Sequence, residues 1–83
     1  MNNKLLVSVS LPIYDISFDL SVPNIIKVGS LKKIILDYIR SNYNNDINLE
    51  TLRLIKRESG IELDSNLLIK DANINNGSIL VLI

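Results

Sequence analysis

Eighty-three residues, 47% of them hydrophobic, predict one small domain over residues 1–83, and a chain of that size must pack its core efficiently, because it buries only roughly 60–65% of its unfolded surface. The absence of Cys and His rules out a disulfide framework, thiolate or imidazole metal sites and the commonest general base, and fits a reducing compartment. Nine basic and nine acidic residues cancel, which argues against electrostatic capture of nucleic acid or of a membrane surface.

The first element is an alternating run. Leu5, Val7, Val9 and Leu11 fall on one side of residues 4–11, and Leu6, Ser8 and Ser10 on the other, which predicts a half-buried strand. Pro12 ends it and Ile13-Tyr14-Asp15 turns the chain. Residues 16–22 alternate again, with Ile16, Phe18, Leu20 and Val22 set against Ser17, Asp19 and Ser21, so the two runs form a β-hairpin. A helix is predicted from Ser30 to Tyr43. Leu31, Ile34, Ile35, Tyr38 and Ile39 make its apolar stripe, Ser30 its N-cap, and Asn44 and Asn45 its stop. Gly29 marks a bend before the cap.

A polar loop over 42–48 leads to a third strand over 49–57, with Leu52 and Leu54 inward and Arg53, Ile55 and Arg57 outward. Glu58-Ser59-Gly60 turns into a short strand over Ile61-Glu62-Leu63. Asp64-Ser65-Asn66 turns again and opens a helical turn over 67–69. Asn75-Asn76-Gly77 is a strong turn signal. The ending, Ser78-Ile79-Leu80-Val81-Leu82-Ile83, is apolar on both sides, which suits the middle of a sheet. Its apolar run is far shorter than the roughly 20 residues of a membrane span, and Met1–Lys4 leads into strand and not into a signal-peptide core. A cytoplasmic protein is expected.

Little in the chain suggests catalysis. Asp15 and Asp19 fit turn and edge-strand carboxylates, Asp71 fits a brace for the turn before Ile74, and Glu62 and Asp64 lack the ligand spacing of a calcium loop. Three glycines are scattered among turns and make no phosphate loop. With no activated nucleophile and no acid–base pair, no enzyme, metal or cofactor is predicted.

Hairpin, helix, two shorter strands and a central last strand make an α+β β-grasp order, with one main helix on a mixed sheet. The ending Ile69-Lys70-Asp71-Ala72-Asn73-Ile74-Asn75-Asn76-Gly77-Ser78-Ile79-Leu80 resembles the ubiquitin-like pattern apolar-x-Asp-x-x-Ile-x-x-Gly-x-x-Leu. Together with Phe18-Asp19-Leu20-Ser21-Val22-Pro23 and the helix, it looks most like the YukD/EsaB family, ubiquitin-like accessory proteins of Gram-positive type VII secretion systems. The resemblance covers the first forty residues and the last fifteen, while residues 41–66 match in pattern only. It implies a non-enzymatic component that binds the secretion ATPase or another membrane-anchored part of that machine, at the membrane complex or free in the cytoplasm. A generic ubiquitin-like adaptor is the alternative. A carrier used through its C-terminus is disfavoured, because Leu82-Ile83 is bulky where modifiers and sulfur carriers end in a mobile Gly-Gly.

The helix covers one sheet face and leaves the other open. Leu6, Ser8, Arg53, Ile55, Ile79 and Val81 are the expected partner-binding residues there, with Ser10 and Ile83 beside them and polar Ser17, Asp19 and Ser21 at one margin. A homodimer is a second use of that face. The stems of Arg53 and Lys56 are expected to shield some of its apolar atoms. Lys27, Lys32, Lys33 and Arg40 form a second candidate set for an anionic protein surface. Periodicity leaves the phase of the last strand open; the resemblance points Leu80 and Leu82 toward the helix.

Overall fold

The computed structural model describes residues 4–43, 48 and 50–83. Its elements among these residues are β1 (Lys4–Leu11), β2 (Ile16–Pro23), α1 (Val28–Asn42), β3 (Leu54–Lys56), β4 (Ile61–Glu62) and β5 (Ile79–Leu82), with 3-10 turns at Pro12–Tyr14 and Ile69–Asp71. The sheet runs β2-β1-β5-β3-β4. β5 is parallel to β1, and the other neighbours are antiparallel. The doubly apolar last strand is therefore central, as its composition predicts, and the hairpin is as predicted. Asp15 turns it in the left-handed conformation at φ 55°.

The core lies between α1 and one sheet face. Val7, Val9 and Leu11 of β1, Leu80 and Leu82 of β5 and Leu54 of β3 meet Val28, Leu31, Ile35, Leu36 and Ile39 of the helix. Ile69 and Ile74 close one end. Leu80 and Leu82 are fully buried, which fixes the phase of the last strand with those two inward. No helix among the described residues is long and apolar enough to cross a membrane.

Four expectations need correction. Helix α1 begins two residues earlier than predicted, and Ser30 lies inside its first turn and not at its cap. Lys27 is the N-cap and makes no side-chain capping bond. Distant carbonyls do that work: the Val28 N–H donates to Leu67 O (2.8 Å) and the Gly29 N–H to Ser65 O (3.0 Å). A helix start needs its free N–H groups satisfied, and a packed loop can supply acceptors as well as a side chain can. Gly29 serves this close approach, since a Cβ there would lie 3.3 Å from Ser65 O. At the other end, the Tyr43 N–H closes the helix on Ile39 O, and Asn44 and Asn45 lie outside the described residues.

The second correction is Ile34, predicted in the apolar stripe but 39% exposed. Leu36, unassigned by the stripe, is buried in its place. The third concerns β3, which spans three residues where a strand over 49–57 is expected. Leu49 lies outside the described residues, and backbone bonds at both ends, Arg53 with Ile83 and Arg57 N–H with Ile79 O, extend the pairing just beyond the strand. The 3-10 turn after Asn66 is the fourth, since it forms at Ile69–Asp71 and not over 67–69. Leu68 is extended and bridges Lys27, which straps this loop to the helix entry. Asp71 is exposed, and its backbone N–H, bonded to Leu68 O, holds the turn.

Candidate functional site

Alternation along each strand decides the open face. Because Val7, Val9, Leu80 and Leu82 point to the helix, Leu6, Ser8, Ser10, Ile79 and Val81 point away from it. Cross-strand register sets them side by side: Ser8 faces Ile79, Ser10 faces Val81, and Val81 faces Ile55. Leu6 and Ile79 are 49% and 39% exposed, and Ile83, just past β5, is 51% exposed. Hydrophobic side chains therefore run across the middle of this face. The hairpin margin is polar, as predicted. There Ser8 Oγ donates to Asp19 Oδ1 across the β1–β2 pair (2.7 Å).

Ile55 departs from the expectation. It is only 9% exposed, because it lies between Val81 on β5 and Glu62 on β4. It packs beside Val81 and offers little area itself. Exposed Arg53 stands 4.0 Å from Glu62 Oε1, so both charges border Ile55. Lys56 shields nothing on this side. Its register partner is Leu80, so it points to the helix side, is 8% exposed, and donates from Nζ to Asn73 O (2.6 Å). Alternation within the strand requires this, since Lys56 shares a side with Leu54.

Arg57, expected to point outward though not counted among the partner-binding residues, belongs to this face, and Glu62 was missed. Arg57 lines an open concavity of 520 Å³ with Ser8, Ser10, Ser17, Asp19 and Ile79. Continued alternation from Arg53 through Ile55 signals Arg57. Glu62 has no local signal, because only the β3–β4 register brings it opposite Ile55.

The second candidate set does not gather into one basic patch. Lys32, Lys33 and Arg40 line a 400 Å³ groove along α1 with Leu36, but Asp37 and Glu50 line it too. Arg40 Nη2 is paired with Glu50 Oε1 at 2.8 Å. Lys27 sits apart at the helix start, where its backbone bridges Leu68. Three cations against two anions make a mixed surface of the kind a solvated helix carries. No trio of acidic residues able to hold a metal ion gathers among the described residues.

The polypeptide path can be compared with known proteins directly. Over 99% of this chain and 78% of that one, it superimposes on the ubiquitin-like domain of an Arabidopsis thaliana protein, with a TM-score of 0.71 and 28% identity. The fold is the ubiquitin-like β-grasp. The N-terminal ubiquitin-like domain of the 4931431F19Rik protein matches 100% of this chain and 76% of its own, with a TM-score of 0.75 and 22% identity. The corresponding domain of Plasmodium falciparum Dsk2 matches 96% of this chain and 99% of its own, with a TM-score of 0.69 and 23% identity. No family model and no curated protein matches the chain. At these identities the ubiquitin-like likeness is one of fold.

Proposed function

We propose that this chain is a non-enzymatic protein-binding module that presents the open sheet face to its partner. The observation that carries this is the apolar row of Ile79, half-buried Val81 and Ile83 on the open side of the last strand, with exposed Leu6 on the same face of β1. Contiguous apolar surface bordered by polar side chains is what protein interfaces bury. Ser8, Arg53, Arg57 and Glu62 form the polar rim, and Ile55 lies beside Val81 between β5 and β4. Such a face performs no bond-making chemistry.

The partner we assign is a component of a type VII secretion system, with its ATPase as the first candidate. Support comes from the resemblance of residues 18–23, the helix and residues 69–80 to the YukD/EsaB family, on a ubiquitin-like fold. An affinity pull-down from native cytoplasm and detergent-solubilised membrane tests it, using wild type and a Leu6→Asp, Ile79→Asp variant. Both positions are exposed, so the variant keeps its core, which circular dichroism checks. Recovery of the secretion ATPase by wild type alone is the expected result. Recovery by both proteins moves the site to the groove of Lys32, Lys33 and Arg40. Recovery of an unrelated protein by wild type alone leaves an interaction module and removes the secretion role.

A further inference from the structure

The sheet has two unlike edges. The β4 edge is two residues long, whereas the β2 edge is eight residues long, with an unbroken register from Lys4–Pro23 to Leu11–Ile16. Its free backbone groups can be identified. The Ser8 N–H donates to Ser78 O and the Gly77 N–H to Leu6 O, so even-numbered residues of β1 aim their backbone at β5. Odd-numbered Val7 and Val9 therefore bond to Leu20 and Phe18, their partners on β2. Ser17, Asp19 and Ser21 are left with N–H and C=O directed away from the sheet.

Exposed edges are normally guarded by Lys, Pro, a bulge or a short strand. β2 contains no Lys or Arg and its pairing has no bulge; Asp19 is its one charge, and its one Pro, Pro23, stands at its last residue. Apolar surface lies uncovered beside it. Phe18 and Leu20 are only half-buried, and the Phe18 ring lies 4.3 Å from that of Tyr38 on α1. Ile34, one turn before Tyr38, shares that side of the helix. Its exposure follows from the sheet ending at β2.

We infer that two copies of this chain join through β2, antiparallel about a two-fold axis at Leu20, into one continuous sheet. The register follows from chemistry. Residues with outward backbone must oppose one another, so odd pairs with odd. Placing the axis at Asp19 would set the two Asp19 carboxylates directly opposite, and like charges opposed across a ladder destabilise it. Moving the axis to Leu20 sets Asp19 against Ser21 of the second copy, Leu20 against Leu20 and Phe18 against Val22. Each copy then donates the N–H groups of Ser17, Asp19 and Ser21, and Pro23, which has no N–H, only accepts. Both helices lie on the same side of the joined sheet, which brings Ile34 and Tyr38 of each copy toward the other. This contact is separate from the open face assigned to the partner.

Sedimentation equilibrium of the full chain, from about 1 μM to 1 mM, tests it across the range of weak to moderate affinities. A dimer is expected. Ser21→Lys faces Asp19 of the second copy twice and should tighten the dimer roughly two- to thirty-fold, with Ser21→Asp loosening it similarly. Ser21→Pro removes an outward N–H, keeps the ladder with β1 and should loosen the dimer by about tenfold or more. Thermal unfolding of each variant at low concentration confirms its fold. A monomer throughout the range overturns the inference. So does a dimer tightened by Ser17→Lys in place of Ser21→Lys, or one indifferent to Ser21 and dissociated by Ile79→Asp.

Discussion

Along β5 the two faces of the sheet are built from nearly the same side chains and have opposite fates. On β5, Leu80 and Leu82 are fully buried under α1, while Ile79 between β1 and β3 stays exposed on the other face. On β1, Val7 and Val9 are covered and Leu6 is not. Hydrophobicity does not separate Leu6 and Ile79 from their buried neighbours, but cover does. A single helix can shield only one face, so aliphatic residues on the other are left as surface.

The hardest test of this contrast is a pair of truncations on the central strand. Leu80→Ala should lower the free energy of unfolding by about 2–5 kcal/mol, because it opens a cavity under the helix. Val81→Ala, one residue along, should cost about 1 kcal/mol or less, within the range of strand preference at a partly covered site. Urea denaturation measures both, and equal losses would break the distinction between the faces.

Next in size is the turn that feeds this strand. Gly77 has φ 89° and its N–H bonds to Leu6 O, which docks the turn beside β1. Gly77→Ala should cost about 1–2 kcal/mol, since a side chain is strained in that left-handed conformation. A cost near zero in thermal or urea unfolding would mean that the turn relaxes to another geometry.

A smaller effect is expected at Lys56, the polar exception on the helix side. Lys56→Met keeps the apolar stem, gives up a part-buried bond to Asn73 O and a 3.9 Å ion pair with exposed Glu58, and should change stability by about 1 kcal/mol. A larger loss in denaturant unfolding would make the link to Asn73 part of the core's support. The least effect belongs to the open face. Arg53 and Glu62 are both well exposed at 4.0 Å, so Glu62→Ala should alter stability by about 0–1 kcal/mol. A double-mutant cycle with Arg53→Ala measures that pair directly.

Much of the fold was legible because the hairpin strands alternate strictly and β5 is apolar throughout. Those patterns belong to residues next to one another, so they survive without tertiary information. The candidate site was legible to a lesser degree. Leu6 follows from alternation along β1, and Ile79 and Val81 follow once the phase of β5 is known, but that phase needs the helix. Ile55 shows the limit. Its outward direction was readable, and its burial was not, because β4 and β5 flank it from distant parts of the chain.

By itself the sequence determined the order of elements, the hairpin, the helix interior and the central place of the last strand, since each rests on local period or composition. Only the tertiary structure decided where α1 begins, that Gly29 packs closely against Ser65, that Lys56 points inward and that Ile34 stays exposed. These depend on carbonyls of Ser65 and Leu67, a neighbouring strand, and the position of a sheet edge. Long-range neighbours satisfy a helix N–H or cover a side chain through space, and no period along the chain records them.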